Sequence, residues 1–240
     1  DYKILKSKMF TTVGKLASGI QLLLKDNDVE IVEGEAEIIA PNKVKVGSKI
    51  LETKNVVIAT GSTPVSITDY DSKEKILSTD TFWSIEELPK SIAVIGGGYS
   101  GCEFASILNV LGCKVWLIEI EETLMPDNPR EIGKTLEKYM RIDGITVLTN
   151  SKVEKITDNG ILVNGQNIDV EKILVCVGRK PNISSDEMKK LGIEFNSKGI
   201  DVNKKMLTSV SNIYAIGDVA GKYELAHVAS KQGEVAAHNI

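Results

Sequence analysis

The chain is poor in several things at once. Of its 240 residues three are cysteine, two are histidine and 5% are aromatic, and 29 Lys and Arg stand against 33 Asp and Glu for a formal net charge of −4. Each shortage excludes something. Without clustered Lys and Arg, no nucleic-acid partner and no anionic membrane surface is expected. No apolar run reaches the ~18 residues that a membrane-spanning helix needs, and no basic-plus-apolar leader is seen. Cys102, Cys113 and Cys176 show neither CxxC nor CxxxxC spacing and cannot all pair with one another, which fits a reduced, cytoplasmic compartment. Cys102 and Cys176 read as buried small hydrophobes rather than nucleophiles. No metal site and no catalytic residue is expected within these residues. With so few rings, the core must be built mainly of Val, Ile, Leu and Ala.

What is there suffices for such a core. Hydrophobic residues make up 42% and charged residues 26%, ordinary for a globular protein, and the length suits one large or two modest domains. Val13, Leu16, Ile20, Leu23 and Leu24 recur at helical spacing, predicting a helix over about 12–25. Short strands follow at 29–33, 36–39 and 43–46, turning at Pro41-Asn42. The apolar run Asn55 to Ala59 reads as a strand buried on both faces. A polar linker spans Asp69 to Asp80.

The next segment carries the strongest signal. Ile92 to Ile95 is a buried-strand pattern that runs into Gly96-Gly97-Gly98-Tyr99-Ser100-Gly101-Cys102-Glu103, a G-x-G-x-x-G sequence opening a helix predicted over 100–111. A second apolar strand, Lys114 to Ile118, ends in Glu119. This context turns a weak motif into a specific one. The first glycine permits a tight turn, the second lets backbone approach a pyrophosphate, and the third lets helix pack closely on strand. Phosphates then sit at a helix N-terminus, where unpaired N–H groups and the helix dipole favour negative charge. A carboxylate at Glu119 would accept the hydroxyls of an adenine ribose and repel a 2′-phosphate, so NAD(H) is expected over NADP(H).

The remaining pattern alternates. A helix is predicted over 129–142, with Pro129 at its start, and strands at 146–148, 152–156, 161–163 and 172–177. The stretches around Asp158-Asn159-Gly160 and Asn164-Gly165 read as hairpin turns of a meander, and 212–218 as a further buried strand before a final helix from Leu225 or Ala226. The fold class is α/β: a Rossmann-like parallel sheet with a β-meander. Three apolar strands end in glycine plus a polar residue, at Ala59 to Ser62, Val177 to Asn182 and Ala215 to Asp218. Ligands bind beyond the carboxyl ends of strands in such sheets, so more than one nucleotide is expected.

As an ordered set, Ala59-Thr60-Gly61-Ser62, Gly96 to Glu103 with Glu119, Gly178-Arg179-Lys180-Pro181-Asn182, Ala215-Ile216-Gly217-Asp218 and Leu225-Ala226-His227-Val228-Ala229 resembles the flavin-dependent pyridine-nucleotide disulfide oxidoreductases. Leu-Ala-His-x-Ala after Gly-Asp is most similar to the branch that oxidises dihydrolipoamide. The resemblance covers essentially the whole chain. It implies that Gly96, Gly97, Gly98, Tyr99, Ser100, Gly101, Cys102 and Glu103 hold the NAD pyrophosphate and Glu119 the ribose, that Val153 packs on the adenine, and that Gly178 lines the nicotinamide side. Tyr99 would cover a flavin until nicotinamide displaces it, and Glu103 would pair with a lysine near the flavin. From the residues alone, Tyr99 is also an exposed helix-start residue, and Glu103 an acid favoured by the helix dipole. For FAD, the resemblance implies contacts from Ala36, Thr60, Gly61 and Ser62, a ribityl hydrogen bond to Asp218, and amides of Glu224, Leu225, Ala226 and His227 at the flavin. His227 is read as a helix-start residue, since the family's base lies in a separate C-terminal domain, and His238 as a solvated helix residue.

The family also has a CxxxxC dithiol, an FAD-binding GxGxxG strand-turn-helix and a domain that pairs two subunits, and none of these occurs in the 240 residues. The chain starts at Asp1, not Met, and is expected to be the middle of a longer, homodimeric enzyme that acts on a lipoyl-bearing protein. A partial, discontinuous FAD-binding domain (1–85 and 209–240) would flank an NAD-binding domain (86–208). The piece is expected to be inactive, to retain FAD poorly and to lack the dimerisation domain. A piece of another flavin-linked NAD(P)H reductase, or a non-catalytic NAD-binding module, are the alternative readings.

Overall fold

The computed structural model describes residues 1–67, 75–221 and 223–240. Contacts divide the chain into two compact units, Asp1–Gln21 with Pro64–Gly178, and Leu22–Thr63 with Arg179–Ile240.

The first unit is built on a five-stranded parallel sheet in the order Ile76–Ser78, Lys172–Val175, Ser91–Ile95, Lys114–Ile118, Thr146–Leu148. The alternation of side chains decides what each face buries. Ile92 and Val94 point to one side, where Cys102, Ala105 and Leu108 of the helix Tyr99–Val110 and Met140 of the helix Arg130–Ile142 cover them. Ala93 and Ile95 point to the other, where Ile156, Ile161 and Val163 cover them. Those three residues belong to an antiparallel meander, Val153–Thr157, Gly160–Val163 and Gln166–Asp169, which stands where a crossover helix would. The sheet is therefore buried on both faces, as the continuous apolar strands require.

The second unit holds another meander, Ala36–Ala40, Lys43–Val46 and Lys49–Glu52. Beside it lie a parallel pair, Val56–Ile58 with Ile213–Ala215, and a short helix Ser185–Leu191. Val56, Ile58, Met188, Ile193, Ile200, Ile213 and Ala215 share its core. The closing helix runs Ala226–Asn239.

Several sequence expectations need correction. The first helix is longer than its apolar spacing indicated, Tyr2–Asp26, anchored where the Tyr2 hydroxyl and the Lys6 ammonium both donate to the Ile85 carbonyl. The stretch 29–33 forms no strand: its alternating Val29 and Ile31 stay exposed, and no described strand runs beside it to accept its backbone groups. Residues 69–74 of the expected linker lie outside the described residues, but within the rest of it runs the strand Ile76–Ser78, which owes its form to the partner Lys172–Val175 rather than to its own composition. Strand Val56–Ile58 is buried on one face only, since Val57 points outward. Cys176 follows its strand rather than lying within it.

Candidate functional site

The strand Ser91–Ile95 delivers Gly96 to the carboxyl edge of the sheet, and the three motif glycines there answer three different demands. Gly96 has φ +105, and a Cβ on it would lie 2.3 Å from the Cys176 carbonyl oxygen. At Gly101 a Cβ would fall 1.8 Å from the Gly96 carbonyl oxygen, so glycine alone lets the helix start so close to the strand end. Gly98 is different: nothing lies within 4 Å of where its Cβ would be. No protein neighbour demands glycine there, and the space in front of it is open.

Gly98 is also the N-cap of the helix Tyr99–Val110 and has no side chain to cap with. The first-turn amides therefore face outward without a side-chain acceptor, as an anion-binding helix start does. Tyr99 is 60% exposed at this point, and its hydroxyl exchanges hydrogen bonds with the Asn128 side-chain amide. Ser100 and Glu103 are exposed on the same turn, and no ion pair joins Glu103 to a lysine among the described residues.

Glu119 is 6% exposed. Its Oε2 accepts the Gly97 N–H at 2.5 Å and its Oε1 the Glu121 N–H at 2.8 Å. Gly97 is held from its other side too, its carbonyl accepting the Met125 N–H at 2.8 Å and the Cys102 thiol at 3.3 Å. An ionised carboxylate offers about four lone-pair positions, so two backbone bonds still leave room for ribose hydroxyls. The Ser151 N–H donates to the Glu119 carbonyl at 2.9 Å, which brings half-buried Val153 to the same edge. Gly178 is exposed, with φ +106, beyond the neighbouring strand. Gly96, Gly98, Gly101, Glu119 and Val153 thus share one sheet edge.

Cys102 is buried as expected, whereas Cys176 is only half-buried, a correction to its reading as a buried small hydrophobe. Burial pushes Cys102 up to about 12, helped by the charges of Glu119 and Glu103, and burial with Cys102 as neighbour pushes Cys176 up to about 12. Thiolates, the reactive form, are scarce at neutral pH.

In the second unit, Ala36 and Thr60 line one cavity of about 920 Å³, with Glu33, Glu35 and Glu37 on its wall. That wall suits hydroxyl and amino groups better than phosphates. The Thr60 hydroxyl donates to the Asn182 carbonyl at 2.8 Å, and Asn182 returns a bond to the Thr60 carbonyl at 2.9 Å. Next to them, Ser62 donates to Asp218 Oδ2 at 2.6 Å. Arg179, which sequence reasoning did not single out beyond its motif, donates from Nε to the Ser62 hydroxyl and from a terminal nitrogen to the Ser62 carbonyl, both at 2.8 Å. Gln232, likewise missed, accepts the Gly217 N–H at 2.6 Å. Its only signal was its place in a helix that follows Gly-Asp.

The helix Ala226–Asn239 starts with Leu225 as N-cap and no side-chain cap, so its first amides also point outward. Leu225, Ala226 and His227 are exposed, and so is His238 at the far end, as its reading as a solvated helix residue expected. Partial burial and the nearby Asp218 hold the Glu224 carboxyl above the usual range, with Arg179 opposing them. Among the described residues no cluster of His, Cys, Asp and Glu could hold a metal ion, and no helix is long and apolar enough to cross a membrane.

A sequence model of the pyridine nucleotide-disulphide oxidoreductases matches residues 1–233. Dihydrolipoyl dehydrogenase from Chlamydia pneumoniae is 34% identical over 248 residues, covering 100% of this chain and 54% of its own length. The enzyme of the same name from Bacillus subtilis (strain 168) is 33% identical, with coverages of 99% and 54%, and that from Acholeplasma laidlawii 34%, with 100% and 74%. Among solved structures, the HOCl-induced flavoprotein disulfide reductase RclA from Escherichia coli matches with a TM-score of 0.92 at 24% identity, over 100% of this chain and 57% of that one, a likeness of fold. The chain spans about half the length of the first of these relatives.

Proposed function

The chain belongs to the pyridine nucleotide-disulphide oxidoreductase family, and from that premise we propose that it is the central part of an FAD-dependent dihydrolipoyl dehydrogenase, which oxidises dihydrolipoamide on a lipoyl-bearing protein and reduces NAD. The observation that carries the nucleotide half of this reading is the contrast among the glycines. Gly96 and Gly101 are fixed by protein neighbours, whereas Gly98 faces open space at an uncapped helix start. A nucleotide pyrophosphate fits that opening, and Glu119 stands at the end of the next strand, where the adenine ribose calls for an acid.

The flavin half is supported by the second unit. Asp218 offers a pinned carboxylate to a ribityl hydroxyl, the amides before and within the first turn of Ala226–Asn239 offer donors to the flavin, and the cavity beside Ala36 and Thr60 suits an adenosine. When bound, FAD would carry the electron pair from a dithiol on to NAD. The chain's own residues would bind and orient: helix-start amides stabilise negative charge, and Glu119 excludes the 2′-phosphate. A homodimeric whole, with the dithiol and the subunit-pairing domain outside these residues, is part of the proposal. Inactivity of the 240 residues alone is also part of the proposal, supported by their having no cysteine pair at CxxxxC spacing.

Protein expressed from the complete reading frame should be a flavoprotein that forms NADH from NAD and dihydrolipoamide, while the 240-residue chain with added FAD should bind NADH but form none. A whole protein that turns over NADPH, or only another disulfide, would assign the chain to a different flavin-linked reductase. Turnover by the 240 residues alone would contradict the proposed division of labour.

A further inference from the structure

We infer that Arg179 is a positioning residue for Asp218, acting through the Ser62 hydroxyl, and that this three-residue relay sets how firmly the second unit holds a polyhydroxylated chain. The inference rests on the reading that Asp218 accepts a ribityl hydroxyl of FAD, and it adds what holds that carboxylate in place.

Proton direction decides the order of the relay. A serine hydroxyl has a single proton and two acceptor lone pairs, and a guanidinium can only donate. Because Arg179 Nε donates to the Ser62 hydroxyl at 2.8 Å, the Ser62 proton is directed toward Asp218 Oδ2 at 2.6 Å. The second arm of the guanidinium, 2.8 Å from the Ser62 carbonyl, fixes the backbone that carries this hydroxyl. A planar fork gripping two atoms of one residue removes the rotation that a lone serine would keep. Asp218 therefore meets a ligand with its plane already set and spends one lone pair on Ser62, leaving others for hydroxyl donors. Pre-set acceptors bind more tightly because the ordering cost is met on folding.

Charge supports the same assignment. Asp218 and Glu224 are like charges in one neighbourhood, and Arg179 is the cation that opposes their mutual repulsion at Glu224. All four residues lie in the same compact unit. Arg179 sits half-buried at the start of the short strand Arg179–Pro181, which pairs with the strand that Ser62 opens.

The test is calorimetric titration of flavin-free protein expressed from the complete reading frame with FAD and, separately, with ADP, which shares the adenosine and pyrophosphate but has no ribityl chain. Arg179→Gln and Ser62→Ala should each weaken FAD by about tenfold, the scale of one charge-assisted hydrogen bond, and leave ADP within about twofold. Ser62→Thr, which restores the hydroxyl, should recover FAD binding, whereas Arg179→Lys, which keeps the charge but not the fork, should not. In an Asp218→Asn background the Arg179 and Ser62 changes should shrink to within about twofold, because residues acting through one partner are not additive. Losses of FAD affinity that persist undiminished with Asp218→Asn, or that strike ADP equally, would overturn the relay and leave only a structural role. Should Arg179→Gln fail to fold, the Ser62→Ala and Ser62→Thr pair makes the same distinction. If Asp218→Asn itself leaves FAD affinity unchanged, or the protein from the complete reading frame binds no FAD, it is the flavin reading that falls, and the relay with it.

Discussion

The Glu119 carboxylate accepts the Gly97 N–H at 2.5 Å while its other oxygen accepts the Glu121 N–H, so one buried acid ties the end of the second strand to the loop that ends the first. Nucleotide choice and loop shape are thereby placed on one side chain. Glu119→Arg should shift preference toward NADP(H), because the carboxylate that repels a 2′-phosphate is replaced by a cation. It should also cost about 1.5–3 kcal/mol of stability, the worth of hydrogen bonds to a charged group. Calorimetric affinities for the two nucleotides, with chemical denaturation alongside, check both effects. Unchanged preference would remove Glu119 from the ribose site.

The glycines separate fold from function. Position 98 has φ −73 and open space where a methyl group would go, so the unfolding midpoint of Gly98→Ala should stay close to that of the parent. Its NADH affinity should fall by about tenfold or more, since backbone could no longer approach the phosphates. Gly101→Ala should lower stability by about 3 kcal/mol or more, since its Cβ would overlap the Gly96 carbonyl. Thermal unfolding and NADH titration of the two variants, side by side, give the comparison.

Two thiols, Cys102 buried and Cys176 half-buried, make stability depend on alkaline pH. Cys102 and Cys176 are each held at about 12 in the folded chain, against an ordinary thiol value of about 8.5 when unfolded. Between these values the unfolded state releases protons that the folded state keeps. Stability is therefore fully present below pH ~8.5 and falls as pH rises toward the folded value. Urea midpoints measured from about pH 7 to 10.5 should decline above the lower of these values, and Cys102→Ala with Cys176→Ala should flatten that decline. In the native chain at about pH 8, both thiols should resist an alkylating reagent until denaturant is added.

The helix Tyr2–Asp26 presents Leu16, Ile20 and Leu23 at 66%, 60% and 64% exposure. A contiguous apolar stripe of this kind drives association. Sedimentation velocity should find the 240-residue chain partly self-associated, and Leu16→Lys with Leu23→Glu should return it to monomer without weakening NADH, whose proposed loop lies elsewhere.

How much of this was legible in the chain follows from where each element draws its stability. Strand Ser91–Ile95 and its glycine turn could be read because the apolar run is continuous and buried from both sides by its own unit. The hairpin at Asn164-Gly165 could be read because both residues adopt positive φ, as that turn demands. Strand Ile76–Ser78 could not, because a short polar-flanked segment becomes a strand only through its partner 172–175. The stretch 29–33 misled in the opposite direction, since its alternation is that of a strand but no described neighbour pairs with it. In the candidate site, Glu119 and the glycines were visible through spacing. The Arg179 and Gln232 contacts were not, because each joins residues apart in sequence through a single side chain with no periodic signature.

The central claim is that the Gly96 to Gly101 turn and Glu119 seat NAD(H). Titrating NADH into the 240-residue chain and into its Gly98→Ala variant tests it most directly. One site of saturable heat in the parent, weakened by about tenfold or more in a variant that melts at the same temperature, is the predicted result. Equal affinity in both proteins, or no binding by a folded parent, would contradict it.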